Sequence, residues 1–139
     1  MKNRPPSLGA LNHVALFAKD LEACERFYVE ILGMRVDWRP DADNVYLTSG
    51  KDNLALHRAA PDFLPAQSQR LDHIGFVLKT PEDVDSWYAY FVQNGVKITE
   101  SPKSHRDGSR GFYCLDAVGH LLELIYHPPI ADRLNRESN

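Results

Sequence analysis

Apolar and polar residues alternate along this chain in two registers, and each register occurs twice. Leu11 to Phe17 (LNHVALF) and Leu71 to Val77 (LDHIGFV) are short runs dense in β-branched and aromatic residues. The first reads as a strand buried on both sides, and the second as its counterpart. Helical spacing follows each run. Leu21, Cys24, Phe27, Tyr28, Ile31 and Leu32 mark one helix, with Asp20 as N-cap and Gly33 as the stop. Val84, Trp87, Tyr88, Phe91 and Val92 mark the other. There Thr80 caps, Pro81 takes the first position, Asp83 supplies the capping-box acid and Gly95 ends the helix. Strands near residues 34–38, 44–49 and 53–58 complete the first unit, and strands near 96–100, 110–116 and 121–126 the second.

Laid over itself so that His13 meets His73, the chain also matches Leu11 with Leu71, Lys19 with Lys79, Glu22 with Glu82 and Phe27-Tyr28 with Trp87-Tyr88. The unit is βαβββ, present twice: module one over 11–58, module two over 71–128, with a proline-bearing linker at 59–70. Residues 1–10 read as a flexible arm and 129–139 as a C-terminal tail. The expected class is α+β, one domain of two tandem modules.

Alternation in the strands puts chemistry on one face. His13 shares a side with Leu11, Ala15 and Phe17, and His73 shares the equivalent side with Leu71, Gly75 and Val77. The last strand of each unit carries His57 (NLALHR) and Glu123 (LLELIY), which coincide when Leu56 is laid over Leu122. A lone strand histidine is ordinarily a core residue bonded to a carbonyl. A carboxylate between leucines costs several kcal/mol to bury without a cation or donor. Paired units can bring the four side chains into one cavity. Imidazoles with a carboxylate suit a divalent transition metal, and two His with one carboxylate leave coordination positions open.

Composition narrows the partners. With 43% hydrophobic and 25% charged residues and a net charge of −3, nothing marks a nucleic-acid binder. No apolar stretch is long enough for a membrane helix, and no signal-peptide core is visible. Cys24 and Cys114 lie in unrelated contexts outside any CxxC pair, which reads as free thiols in a reducing cytoplasm.

On LNHVALFAKDLEACERFYVEILGMRV, LDHIGFVLKTPEDVDSWY and FYCLDAVGHLLELIYHP, the chain resembles the vicinal oxygen chelate superfamily over about residues 10–128. This superfamily includes glyoxalase I, methylmalonyl-CoA epimerase, fosfomycin-resistance enzymes, extradiol dioxygenases and bleomycin-binding proteins. The last stretch resembles the family ending Tyr-x-x-Asp-Pro-x-Gly-x-x-x-Glu, with Ala117 in place of the proline. The resemblance implies βαβββ modules curved into a cup or half-barrel of mixed sheet, with the helices outside. It places His13, His73 and Glu123 on the three shared metal-ligand positions. It places His57 where glyoxalase I and the epimerases carry a fourth ligand, a site usually Glu or Gln. It also implies a homodimer, with modules paired within one chain or exchanged between two.

The implied chemistry is chelation of adjacent substrate oxygens by a metal acting as a Lewis acid. His105, Tyr113 and Glu123 stand in nearly the order and spacing of the extradiol dioxygenase signature, which Lys103 and Ala117 break. That similarity gives His105 an acid/base role, makes Tyr113 a hydrogen-bond donor, and favours Fe2+ over Mn2+, Ni2+, Co2+ or Zn2+. Arg106 and Arg110, in SHRDGSRG, are candidates to grip an anionic small-molecule substrate. The alternatives are a glyoxalase- or epimerase-like enzyme using His57 as a fourth ligand, and a metal-free binder of the bleomycin-sequestering kind.

Overall fold

The structure is a computed structural model that describes residues 11–64 and 71–137. The expected arm at 1–10 and the second half of the linker lie outside those residues. Module one runs β1 (His13–Ala18), α1 (Leu21–Arg26), β2 (Arg35–Asp41), β3 (Asn44–Thr48) and β4 (Asn53–Arg58). Module two runs β5 (Ile74–Val77), α2 (Pro81–Gln93), β6 (Ile98–Ser104), β7 (Arg110–Leu115) and β8 (Leu121–Tyr126). Each folds into a four-stranded mixed sheet, in the orders β1-β4-β3-β2 and β5-β8-β7-β6, and neither sheet closes into a barrel. In each, the first strand pairs in parallel with the last, and the other pairs are antiparallel. The α+β class and the duplicated module therefore stand as read from the pattern.

The capping residues act as expected. Thr80 accepts from the Asp83 backbone N–H while the Asp83 carboxylate accepts from the Thr80 N–H, and Pro81 follows the cap. Asp20 accepts from Ala23 N at the start of α1. Gly33 and Gly95 take φ of 84° and 70° after the helices, a conformation that costs side-chain-bearing residues energy. Residues Phe27–Ile31 form a π-helical turn that continues α1. No local signal in the apolar spacing distinguishes that turn from α-helix.

Three expectations change. Strand β1 is buried on one face only: Leu16 and Ala18 are buried, whereas His13, Ala15 and Phe17 are exposed. The helices cover one side of each sheet and leave the other open, so the apolar run at 11–17 does not mean burial on both sides. The strand bearing His73 begins later than expected, at Ile74. The expected tail is instead a helix, α3 (Pro128–Glu137), with Ala131 buried and Glu137 paired to Lys51 at 2.9 Å. Among the described residues no helix is long and apolar enough to cross a membrane.

The covered faces share one core. Leu21, Cys24, Phe27 and Tyr28 pack with Leu47, Leu54 and Leu56 of the first sheet, and Val84 and Phe91 with Phe112, Leu122 and Leu124 of the second. Each large side chain buried this way contributes about 1.5–3 kcal/mol. The modules meet through rings, Phe27 against Phe91 and Tyr28 against Phe76, both at 6.4 Å between centroids.

A buried polar knot ties the modules. Asp116, 6% exposed in the β7–β8 turn, accepts from the backbone N–H groups of Val118 (3.0 Å) and His120 (2.8 Å). Its other oxygen accepts from Tyr28 OH at 2.8 Å and His120 Nδ1 at 2.6 Å, with the Cys24 thiol at 3.8 Å. Burial works to raise this carboxyl, but the His120 hydrogen bond and charge, with the Tyr28 hydroxyl, hold it below the ordinary aspartate value. The same surroundings act on the thiols. Burial first, then the Asp116 charge, pushes Cys24 far up and Cys114 up to about 12. Both cysteines are therefore expected to resist Ellman's reagent at pH 8 in the folded protein and to react on unfolding. Rapid labelling of either thiol in the folded chain contradicts this packing.

Candidate metal centre

The second sheet builds half of a site on its open face. Gly75 and Tyr113 flank Glu123 in register, so the carboxylate stands in the middle of a row across β5, β8 and β7. His73, just ahead of β5, brings its Nε2 to 3.0 Å from Glu123 Oε2. The Tyr113 ring meets the His73 ring edge-on, with centroids 5.3 Å apart. Burial, then the Glu123 charge and hydrogen bond, pushes the Tyr113 phenol up to about 12, which keeps it a donor at neutral pH. Gly111 makes room for the carboxylate. A Cβ there would lie 3.0 Å from the Leu124 carbonyl and 3.2 Å from Glu123 Oε1. A cavity of about 320 Å³ opens over this row, lined by Asp72, Lys103, His105, Tyr113 and Glu123 among others.

On the first sheet the two other candidate histidines are each held by an asparagine. His13 donates from Nδ1 to Asn53 Oδ1 at 2.7 Å, and His57 from Nδ1 to Asn44 Oδ1 at 2.5 Å. The His57 ring lies between Phe17 and Tyr46, at 6.3 and 6.0 Å. His13 and His57 do not join His73 and Glu123 within the chain. Among the described residues, the one group of three or more donor side chains within 4.8 Å is Cys24, Asp116 and His120. In that knot both Asp116 oxygens already accept hydrogen bonds, from Tyr28, the His120 ring and two backbone N–H groups.

Strand register corrects the position of His57. Val14 pairs with Leu54 and Ile74 with Leu122, so the module-one equivalent of Glu123 is Ala55, and His57 corresponds to Ile125. The antiparallel partners agree, with Tyr46 opposite Ala55 as Tyr113 is opposite Glu123. Superposing Leu56 on Leu122 had been off by two residues. A strand pattern repeats every two positions, so such a shift keeps the face, and Leu56 still meets a leucine.

The remaining candidates separate. His105 lies at the rim of the Glu123 cavity, and Arg106 is exposed in the β6–β7 turn. Arg110 points away from Tyr113. Its guanidinium holds Asp85 of α2 at 2.6 Å and Ser104 Oγ at 2.9 Å. Sequence reasoning missed Asp72, Lys103 and Gly111. Gly111 had a usable signal, since a glycine inside a strand marks a close approach.

On the second sheet an imidazole and a carboxylate face each other, the carboxylate seated over a glycine, a donor pair of the kind that suits a divalent ion. Residues 10–124 match the profile of the Glyoxalase/Bleomycin resistance protein/Dioxygenase superfamily, and the chain belongs to that superfamily. It is 33% identical over 118 residues to glutathione transferase FosA of Serratia marcescens, covering 84% of this chain and 80% of that protein. Metallothiol transferase FosB of Staphylococcus epidermidis is 26% identical over 125 residues, 90% of this chain and 88% of that one. A crystal structure of lactoylglutathione lyase from Agrobacterium tumefaciens shares the fold, with a TM-score of 0.71 and 24% identity over 88% of this chain and 96% of that one.

Proposed function

We propose that this chain is a metal-dependent enzyme acting as a homodimer in the cytoplasm, with His13 of one copy completing a site with His73 and Glu123 of the other. The observation that carries the reading is the split site. Each module presents ligand-type residues on a sheet face that its own chain leaves open, with His13 and Phe17 exposed on one and the His73–Glu123 pair on the other. The reaction we propose is transfer of a thiol to a small substrate with adjacent oxygens, supported by the relationship to enzymes named glutathione and metallothiol transferases. When bound, a divalent ion supplies Lewis acidity toward those oxygens. Lys103 draws an oxyanion into the cavity, Tyr113 donates a hydrogen bond beside Glu123, and His105 stands at the rim to exchange a proton.

The test is loss of free glutathione with a panel of small electrophilic phosphonates and carboxylates, in protein loaded with Mn2+, Zn2+, Ni2+, Co2+ or Fe2+ and in chelated protein. Metal-dependent adduct formation supports the reading; adducts formed equally in chelated protein sink it. A second reading, extradiol cleavage of a catechol with Fe2+, draws on His105 and Tyr113 lining the same cavity as Glu123. Oxygen uptake with catechols, and no thiol adduct, selects it.

Register also yields a prediction about His57. His57→Ala is expected to leave Zn2+ affinity within about threefold of the unaltered protein, because Ala55 holds the position equivalent to Glu123. Competition with a chromophoric chelator measures it, and a loss of tenfold or more restores His57 as a ligand.

A further inference from the structure

We propose that Asp72 is a positioning residue that fixes the ring of His73 for metal binding; this rests on the metal-dependent reading above. His73 Nδ1 donates to Asp72 Oδ2 at 2.6 Å, while its Nε2 faces Glu123 at 3.0 Å. With its Nδ1 proton on a carboxylate, the ring keeps the tautomer whose Nε2 lone pair is available to a cation, and its donor strength rises.

The other half of the duplicated site solves the same problem with a different residue. His13 is held at Nδ1 by Asn53, its direct neighbour on β4. By register, Leu121 occupies the place of Asn53 in module two, and an aliphatic side chain cannot accept the bond. The clamp has moved to the residue preceding the histidine and gained a charge. The two ligand histidines are thus unequal: one is held by a neutral amide and the other by a carboxylate. His73 is the stronger donor.

Asp72 is 87% exposed at its side chain, so replacing it removes little packing. Zn2+ affinity, read by chelator competition, is expected to fall about 10–100-fold in Asp72→Ala and less in Asp72→Asn, which keeps an acceptor oxygen. The melting temperature of the metal-free protein is expected to stay unchanged in both, and the Mn2+ electron paramagnetic resonance spectrum to change in Asp72→Ala. Zn2+ affinity within twofold of the unaltered protein in Asp72→Ala overturns the proposal, as does an affinity loss matched by a fall in metal-free stability. Failure of the unaltered protein to bind Zn2+ sinks the metal-dependent reading itself and this proposal with it.

Discussion

Asp116→Ala is expected to lower the free energy of unfolding by about 3–5 kcal/mol, the scale for removing one partner from a buried charged network. The change strands the Tyr28 hydroxyl, the His120 ring and two backbone N–H groups together. Each buried donor left without an acceptor costs about 1–3 kcal/mol. Urea denaturation followed by tryptophan fluorescence measures the loss, and a change below about 1 kcal/mol reduces the knot to the worth of a surface pair. The pH dependence has a definite sign. Because the folded carboxyl is held below the 3.8 of a free aspartate, its contribution is present above that value and fades as pH falls through the lower folded one. The unaltered protein therefore loses this stability in acid, and Asp116→Ala loses less there.

The second large effect tests the shared site. His13→Ala and Glu123→Ala are each expected to lower metal-dependent turnover about a hundredfold or more, since loss of a mere orienting partner already costs 10–100-fold. Co-expressing the two variants is expected to restore about a quarter of the sites. Half of the randomly formed dimers are mixed, and each mixed dimer holds one intact His13–His73–Glu123 set and one doubly altered set. Size-exclusion chromatography confirms the dimer, and metal content of the mixture gives a readout independent of turnover. If co-expression restores nothing while both variants dimerise, the site is not divided between chains.

Much of the fold was open to reading because its signals are local. Thr80, Pro81 and Asp83 announce α2 within four positions, and NLALHR and LLELIY coincide with β4 and β8 at both ends. Sequence could not show that β1 leaves one face open, since Leu16 and Phe17 are equally apolar and only the placement of α1 tells them apart. Of the candidate site, His73 and Glu123 were readable from repeat position and alternation, and Tyr113 only from similarity to a family signature. His57 went astray because alternation fixes a face but not a register. Asp72 escaped notice because its role depends on the ring orientation of the next residue, a side-chain torsion with no signature in residue order.

The Asp116 knot also bears on the order in which the chain is made. Tyr28 and Asp116 lie 88 positions apart, and all four strands of the first sheet leave the ribosome before module two exists. That sheet can pair early, because its crossover and hairpins lie within module one. Tyr28, fully buried in the finished protein, has no acceptor for its hydroxyl until the β7–β8 turn emerges. The nascent amino-terminal half is thus sheet-like but incompletely locked. One late-synthesised aspartate supplies the buried polar link between the two modules.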